Sequence, residues 1–359
     1  MSQLPVSTSG STDVRPDLFD RAAVDQFRRE LKIDPTHIRR MRYALMQMVL
    51  EPDVALEYLT SRYAEAARQR FRLSPLTVLE RHDSSIDHSS KFVLEGDERD
   101  RFEMVLMRTA SARITACVST QVGCRAGCSF CATARMGLRR QLRAPEIVEQ
   151  VLTGARVART EGLRLRNIVF MGMGEPLHNE ENLHAAIELL TSREGCSFPM
   201  RRISVSTVGE PAAMLRLVDR FPGIQVALSL HSARPELRAR LVPWTRHIDW
   251  QELQAAVHNI ATRPLTFHHQ GPIMIQHIMI AGVNDQADDA DALIEYLSGL
   301  PCIVNLIPFN SIAQVQAWQP SSREHRDWFA KRLRAAGIYT TVRYSMGADV
   351  AAACGQLVQ

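Results

Sequence analysis

Apolar residues recur at intervals of three and four from about Asp17 to Leu79, the spacing of amphipathic helices. Arg21-Ala-Ala-Val-Asp-Gln-Phe and Ile38-Arg-Arg-Met-Arg-Tyr-Ala-Leu-Met-Gln-Met carry the pattern most clearly, and Pro35 and Pro52 mark helix starts or breaks. This predicts a small helical domain over residues 17–90. Lys91-Phe-Val-Leu and Phe102-Glu-Met-Val-Leu-Met flank the acidic turn Gly96-Asp-Glu-Arg-Asp, so a short β-like linker is expected over 91–110. The Ser- and Thr-rich start, through about residue 16, reads as a disordered lead.

After residue 110 the pattern alternates between short apolar runs and helical periods. The expected strands are Ile114–Ser119, Asn167–Met171, Arg202–Thr207, Gln225–Leu230, Pro272–Ile280, Ile303–Ile307 and Tyr339–Arg343. Helical patterns between them include Ala144–Arg159, Asn182–Thr191, Asp249–Ala261, Ala287–Ser298 and Ser322–Ala336. Strands alternating with helices imply parallel pairing with right-handed crossovers. The fold class is therefore α/β, with about six βα units forming an open or closed barrel over residues 111–359. Chemistry in such a fold sits at the C-terminal ends of the strands.

Composition changes this picture little. The chain has 359 residues, 45% hydrophobic and 23% charged, ordinary for a soluble protein. No apolar run approaches the roughly 18 residues of a membrane helix, and Met1–Val14 lacks a signal-peptide pattern. No membrane and a cytoplasmic location are expected. The net charge of +4 is compatible with a nucleic-acid partner without requiring one. Nearly all positive charge is Arg, the only lysines being Lys32, Lys91 and Lys331; genome composition alone can produce that bias.

Seven cysteines, an odd number, argue against a disulfide framework. Three fall within eight residues, Cys124-Arg-Ala-Gly-Cys128-Ser-Phe-Cys131, which points to metal. Thiolates are the usual ligands of iron–sulfur clusters, and three of them on a four-iron cube leave one iron open for substrate. Structural zinc is the alternative, but zinc normally takes four ligands, often from two C-x2-C pairs, and a second pair is missing. Further polar residues close the expected strands: Gly174 and Glu175 in Phe170-Met-Gly-Met-Gly-Glu-Pro, Ser206 and Thr207, Ser229-Leu230-His231, and Asn310. Each alone could be a turn or cap residue; together they fit the mouth of a barrel. Arg135, Arg139, Arg140, Arg143, Arg201 and Arg202 suit phosphate anchoring, or form solvated helix faces. His268, His269 and His277 read as surface or core residues, and Cys117 on its own residues reads as a buried inert thiol.

The C-x3-C-x2-C loop after the first strand resembles the signature of the radical S-adenosylmethionine superfamily. Cys117-Val-Ser-Thr-Gln-Val-Gly-Cys124, Met171-Gly-Met-Gly-Glu-Pro, Ser204-Val-Ser-Thr-Val-Gly, Leu228-Ser-Leu-His, Gly282-Val-Asn-Asp, Asn305-Leu-Ile-Pro-Phe-Asn and Ala352-Ala-Cys-Gly-Gln-Leu are similar, in order, to motifs of the RlmN/Cfr family. These enzymes methylate adenine carbons of RNA. The resemblance implies a partial (βα)6 barrel, a [4Fe–4S] cluster on Cys124, Cys128 and Cys131, and S-adenosylmethionine as methyl donor and radical source. It implies cofactor contacts at Gly174, Glu175, Ser206, Ser229, Leu230, His231 and Asn310. It further implies Cys354 as methyl carrier, Cys117 as its resolving partner in a transient disulfide, and Glu103 as acid/base. Cys196 and Cys302 match no functional position. The expected partners are 23S rRNA, possibly tRNA in addition, and an electron donor such as flavodoxin, with a monomeric enzyme. Arg343-Tyr-Ser-Met-Gly-Ala-Asp-Val lies nearer the Cfr form, and the early helices lack the family's usual Trp. Carbon 2 of adenosine is the favoured target and carbon 8 the alternative. A methylase of a small molecule or peptide, and a zinc-stabilised RNA-binding protein, are the competing functions.

Overall fold

The computed structural model describes residues 15–109, 113–263, 273–312, 315 and 317–358. Most of the expected lead lies outside the described residues, as do His268 and His269. Helices α1 (Arg21–Glu30), α2 (Pro35–Met46), α3 (Pro52–Leu56) and α4 (Ser61–Arg70) follow it. Asp20 and Asp34 cap α1 and α2 by accepting from Ala23 N and Thr36 N, satisfying amides that a helix start leaves open. The apolar faces meet around Val24, Phe27, Met41, Leu45 and Phe71, all buried.

Helical structure stops before the expected boundary. Strands β1 (Thr77–Asp83), β2 (Ser90–Glu95) and β3 (Arg101–Arg108) form an antiparallel meander. The reading of 17–90 as helical is corrected for β1, whose seven residues are all exposed and carry no apolar face. The segment read as a linker is also more than one, because β3 pairs antiparallel with β4 (Ile114–Cys117) and so extends the main sheet.

Beyond β4 come the short pair β5 (Gln121–Gly123) and β6 (Leu138–Gln141), separated by α5 (Ala132–Arg135), and then α6 (Ala144–Thr160). The remaining units are β7 (Leu165–Phe170), α7 (Glu180–Thr191), β8 (Ile203–Thr207), α8 (Pro211–Arg220), β9 (Gln225–Ser229), α9 (Pro235–Leu241) and α10 (Trp250–Ala261). The last are β10 (Ile273–Met279), α11 (Ala287–Tyr296), β11 (Cys302–Pro308), α12 (Arg323–Ala335) and β12 (Tyr339–Val342). The sheet order is β1-β2-β3-β4-β7-β8-β9-β10-β11-β12. From β4 to β12 every neighbouring pair is parallel, so six crossovers join the strands of a partial barrel.

The period of two along each strand sorts the residues. Val205, Val226, Leu228, Ile275 and Leu306 are fully buried. The alternate positions Cys117, Asn167, Ser204, Met274 and Ile303 line the concave face instead. That face carries the chemistry. No helix among the described residues is long and apolar enough to cross a membrane.

Candidate active site

The three-cysteine loop begins where β5 ends. Gly123 has φ +77° and a Cβ there would lie 1.8 Å from the Gly137 carbonyl oxygen, so only glycine permits the approach that lets Cys124 N donate to Gly137 O (3.0 Å). The loop then hangs on α9: Ser129 N donates to Leu241 O (2.9 Å) and Ser129 Oγ to Arg240 O (2.7 Å). Cys124, Cys128 and Cys131 all line a cavity of about 150 Å³. Burial pushes the Cys124 thiol up to about 12 and the Cys128 and Cys131 thiols upward as well, with further lift from the neighbouring thiols. Three sulfurs that oppose each other's ionisation are a donor set awaiting a cation. Among the described residues no three His, Cys, Asp or Glu side chains converge on a point fit for a single ion. Three thiols of one loop on one cavity wall suit one thiolate on each of three irons in a [4Fe–4S] cluster, and the residues fit that group.

The same cavity is lined by Gly174, Glu175, Ser206, Ser229 and His231. Gly174 has φ +98° and its Cβ would fall 2.5 Å from Gln121 Cβ. Glu175 Oε2 accepts from Val208 N (2.9 Å) and Oε1 from Leu177 N (3.1 Å). Burial nonetheless raises its carboxyl to about 7, against the lowering effect of those bonds. An ammonium group in the cavity would restore the carboxylate. His231 Nδ1 accepts from Ile278 N (3.1 Å), so the ring proton sits on Nε2, and burial drives the histidine well below its usual range.

Gln276 is a residue that the sequence reading missed. Its Oε1 accepts from Ser206 Oγ and Ser229 Oγ, both at 3.0 Å, tying three strand ends together on the cavity wall. Its only signal was parity, an inward position two residues after Met274. Leu230 is absent from the cavity lining. Its carbonyl instead accepts from Arg238, which also donates to Val208 O and Ser229 O (2.9 Å).

A second cavity, of about 790 Å³, adjoins the first and shares Cys131, Met171 and Cys354 with it. Cys117, buried, and Cys354, exposed, both line it as free thiols. Burial pushes the Cys117 thiol strongly upward, and the charge of Cys354 adds to the shift. The C-terminal segment is seated by a run of bonds: Asn310 Nδ2 to Cys354 O (3.0 Å), Ala132 N to Gly355 O (2.7 Å) and Thr133 Oγ1 to Leu357 O (2.6 Å). Asn310 lines this larger cavity, not the smaller one.

Glu103 lies apart. It is fully buried on β3, lines neither cavity, pairs with Lys91 Nζ (3.0 Å) and accepts from Val358 N (2.7 Å). Its carboxylate seats the tail.

The arginines divide in the same way. Arg140 pairs with Asp100 and Glu146, and Arg143 with Asp17 and Asp97, so both are committed internally. Arg201 and Arg202 sit at the N-terminal end of β8, opposite the cluster, and line the larger cavity with Arg113 and Arg343. Cys196 lies 3.9 Å from Met46 Sδ, Cys302 is buried at the start of β11, and His277 is fully buried with its Nε2 against Asn284 O. All three are packing residues.

Residues 118–295 match the model of the radical SAM superfamily. A probable RNA methyltransferase of Rhodopirellula baltica is 41% identical, over 98% of this chain and 89% of its own. The dual-specificity RNA methyltransferase RlmN of Ruthia magnifica is 37% identical, over 76% of this chain and 75% of its own. The crystal structure of a radical SAM methyltransferase from Sphaerobacter thermophilus is 36% identical with a TM-score of 0.88, over 95% of this chain and 99% of that one. With this fold, this cysteine loop and these relatives, the chain belongs to the radical SAM superfamily and, within it, to the RlmN family of methyltransferases.

Proposed function

We propose that this chain methylates a carbon of adenosine in RNA through a methyl group carried on Cys354. The observation that carries the reading is that Cys354 lines both cavities while Cys117 shares the larger one with it. When bound, the cluster and S-adenosylmethionine supply the methyl group and the radical. Cys124, Cys128 and Cys131 hold the cluster; Glu175, Ser206, Ser229 and His231 orient the cofactor, with Gln276 fixing the two serines. Cys354 Sγ takes the methyl in place of its proton and presents it to the base. Cys117 then closes a disulfide with Cys354 as the methylated base departs, and reduction restores both thiols. The low acidity of Cys117 in its buried site keeps it protonated until that step.

A cavity of about 790 Å³ is within the range of pockets that enclose a nucleotide-sized ligand, and a base reaches such a pocket by leaving its stack. Arg343, just after β12 and on the same lining as Cys354, would meet a phosphate. The substrate is 23S rRNA, with tRNA as a second one, and carbon 2 is favoured over carbon 8. Residues 17–90 would add RNA contacts, and the enzyme would work as a cytoplasmic monomer with a flavodoxin-type donor. The test is anaerobic incubation of reconstituted protein with S-adenosylmethionine, reductant and unmodified RNA, followed by nucleoside mass spectrometry. Methylated adenosine with wild type and none with Cys354→Ala supports the reading. Methylation that survives Cys354→Ala would overturn the carrier role, and unmodified RNA with wild type would turn the search to small molecules or peptides.

A further inference from the structure

The cluster loop reaches the surface at residues that line neither cavity. Arg125 and Gly127, each beside a ligand cysteine, are exposed, while Cys128 is only partly covered. Gly127 brings no side chain, and a Cβ there would meet nothing closer than Pro243, at 3.8 Å. The surroundings are built onto the loop: Trp244 N donates to Ala126 O (3.2 Å), and Ser129 holds the carbonyls of Arg240 and Leu241. Arg125, Arg240 and Arg246 are exposed on segments that these bonds join. None of these three arginines forms an ion pair or side-chain hydrogen bond among the described residues. Glu210 accepts from Trp244 Nε1 and lies against His178 (3.3 Å), so its single negative charge stands beside three arginines.

We infer that the surface of Arg125, Gly127, Arg240, Trp244 and Arg246 docks a small acidic protein that delivers single electrons to the cluster. The inference rests on the reading of Cys124, Cys128 and Cys131 as cluster ligands. An electron must reach that centre from outside. Gly127 offers a covering one backbone thick, next to a ligand sulfur. The excess of arginines around such a window would steer an acidic partner and fix its orientation, as complementary charge does in weak redox encounters. RNA could also use arginines, but the substrate cavity, with Arg343 on its lining, includes none of the three arginines here.

The experiment mixes reconstituted holoenzyme with reduced flavodoxin and follows loss of the cluster's visible absorbance, with dithionite as a small reductant that needs no docking. In the Arg240→Glu/Arg246→Glu double variant, reduction by flavodoxin should slow about tenfold or more at low salt and lose its salt dependence. Reduction by dithionite, iron content, RNA affinity and dithionite-driven methylation should stay at wild-type values. Unchanged flavodoxin kinetics would overturn the inference. A fall in RNA affinity with normal reduction would instead make this an RNA surface. Should the double variant fail to load iron, Arg240→Gln and Arg246→Gln provide the same comparison with a smaller, several-fold slowing. Wild-type methylation driven by dithionite keeps the methylation reading separate from the outcome.

Discussion

Replacing Glu103 with Gln removes one negative charge from a fully buried site and leaves its shape nearly unchanged. The carboxylate now serves two partners, Lys91 Nζ at 3.0 Å and Val358 N at 2.7 Å. An amide can still accept from one of them but carries no charge. A hydrogen bond to a charged group is worth about 1.5–3 kcal/mol, and Lys91, only 12% exposed in its side chain, would keep a charge without its partner. The tail bearing Cys354 should therefore undock roughly ten- to a hundredfold more often, each 1.4 kcal/mol being a factor of ten. The assay is the alkylation rate of Cys354 under native conditions, read by intact mass, alongside methyl loading of the same cysteine. Alkylation should accelerate and loading should slow, with Lys91→Met behaving alike because it breaks the same pair. If alkylation is unchanged while the pH profile of RNA methylation shifts, Glu103 moves protons during turnover and the clamp reasoning fails.

Three other outcomes follow from the geometry. Gly174→Ala places a methyl 2.5 Å from Gln121 Cβ at φ +98°; with strain of about 1–3 kcal/mol, the cofactor Kd should rise tenfold or more by equilibrium dialysis, and unchanged affinity would contradict it. Arg238 is 1% exposed and fills three backbone carbonyls. Arg238→Met should lower stability by about 3 kcal/mol or more in urea, a loss that Arg238→Lys recovers only in part; a midpoint unmoved in Arg238→Met would show the carbonyls find other donors. For Glu175, burial raises the folded pKa from 4.5 to about 7. Its stabilisation of the cofactor-free protein is complete below about 4.5 and fades as pH rises through about 7. Glu175→Gln should remove that fall in the denaturation midpoint, and an identical pH profile would refute the assignment.

The barrel was legible because its strands obey two periods at once. Gln225–Leu230 and Ile303–Ile307 were expected within a residue or two of β9 and β11, since buried parallel strands are compact apolar runs between helical patterns. Strand β1 was not legible. Thr77–Asp83 lies at the sheet edge with every residue exposed, so no burial imposed a pattern on it. Among the site residues, the cysteine loop announced itself through local spacing. Gln276 did not, because its role is set by Ser206 and Ser229 on neighbouring strands, 70 and 47 residues away. Glu103 shows the limit from the other side: the resemblance marks its position, but only Val358 near the end of the chain reveals what its carboxylate touches.

Those last residues also join the two ends of the catalytic cycle. Ala132 and Thr133, the first residues of α5 and the next after ligand Cys131, hold the carbonyls of Gly355 and Leu357. The seat for the tail is thus made by the helix that the iron-binding loop feeds into. A polypeptide in which that loop and helix are disordered would lose two of the bonds that hold its last residues. Proteolysis from the C-terminus would accordingly report on the order of the cysteine loop, far from it in sequence.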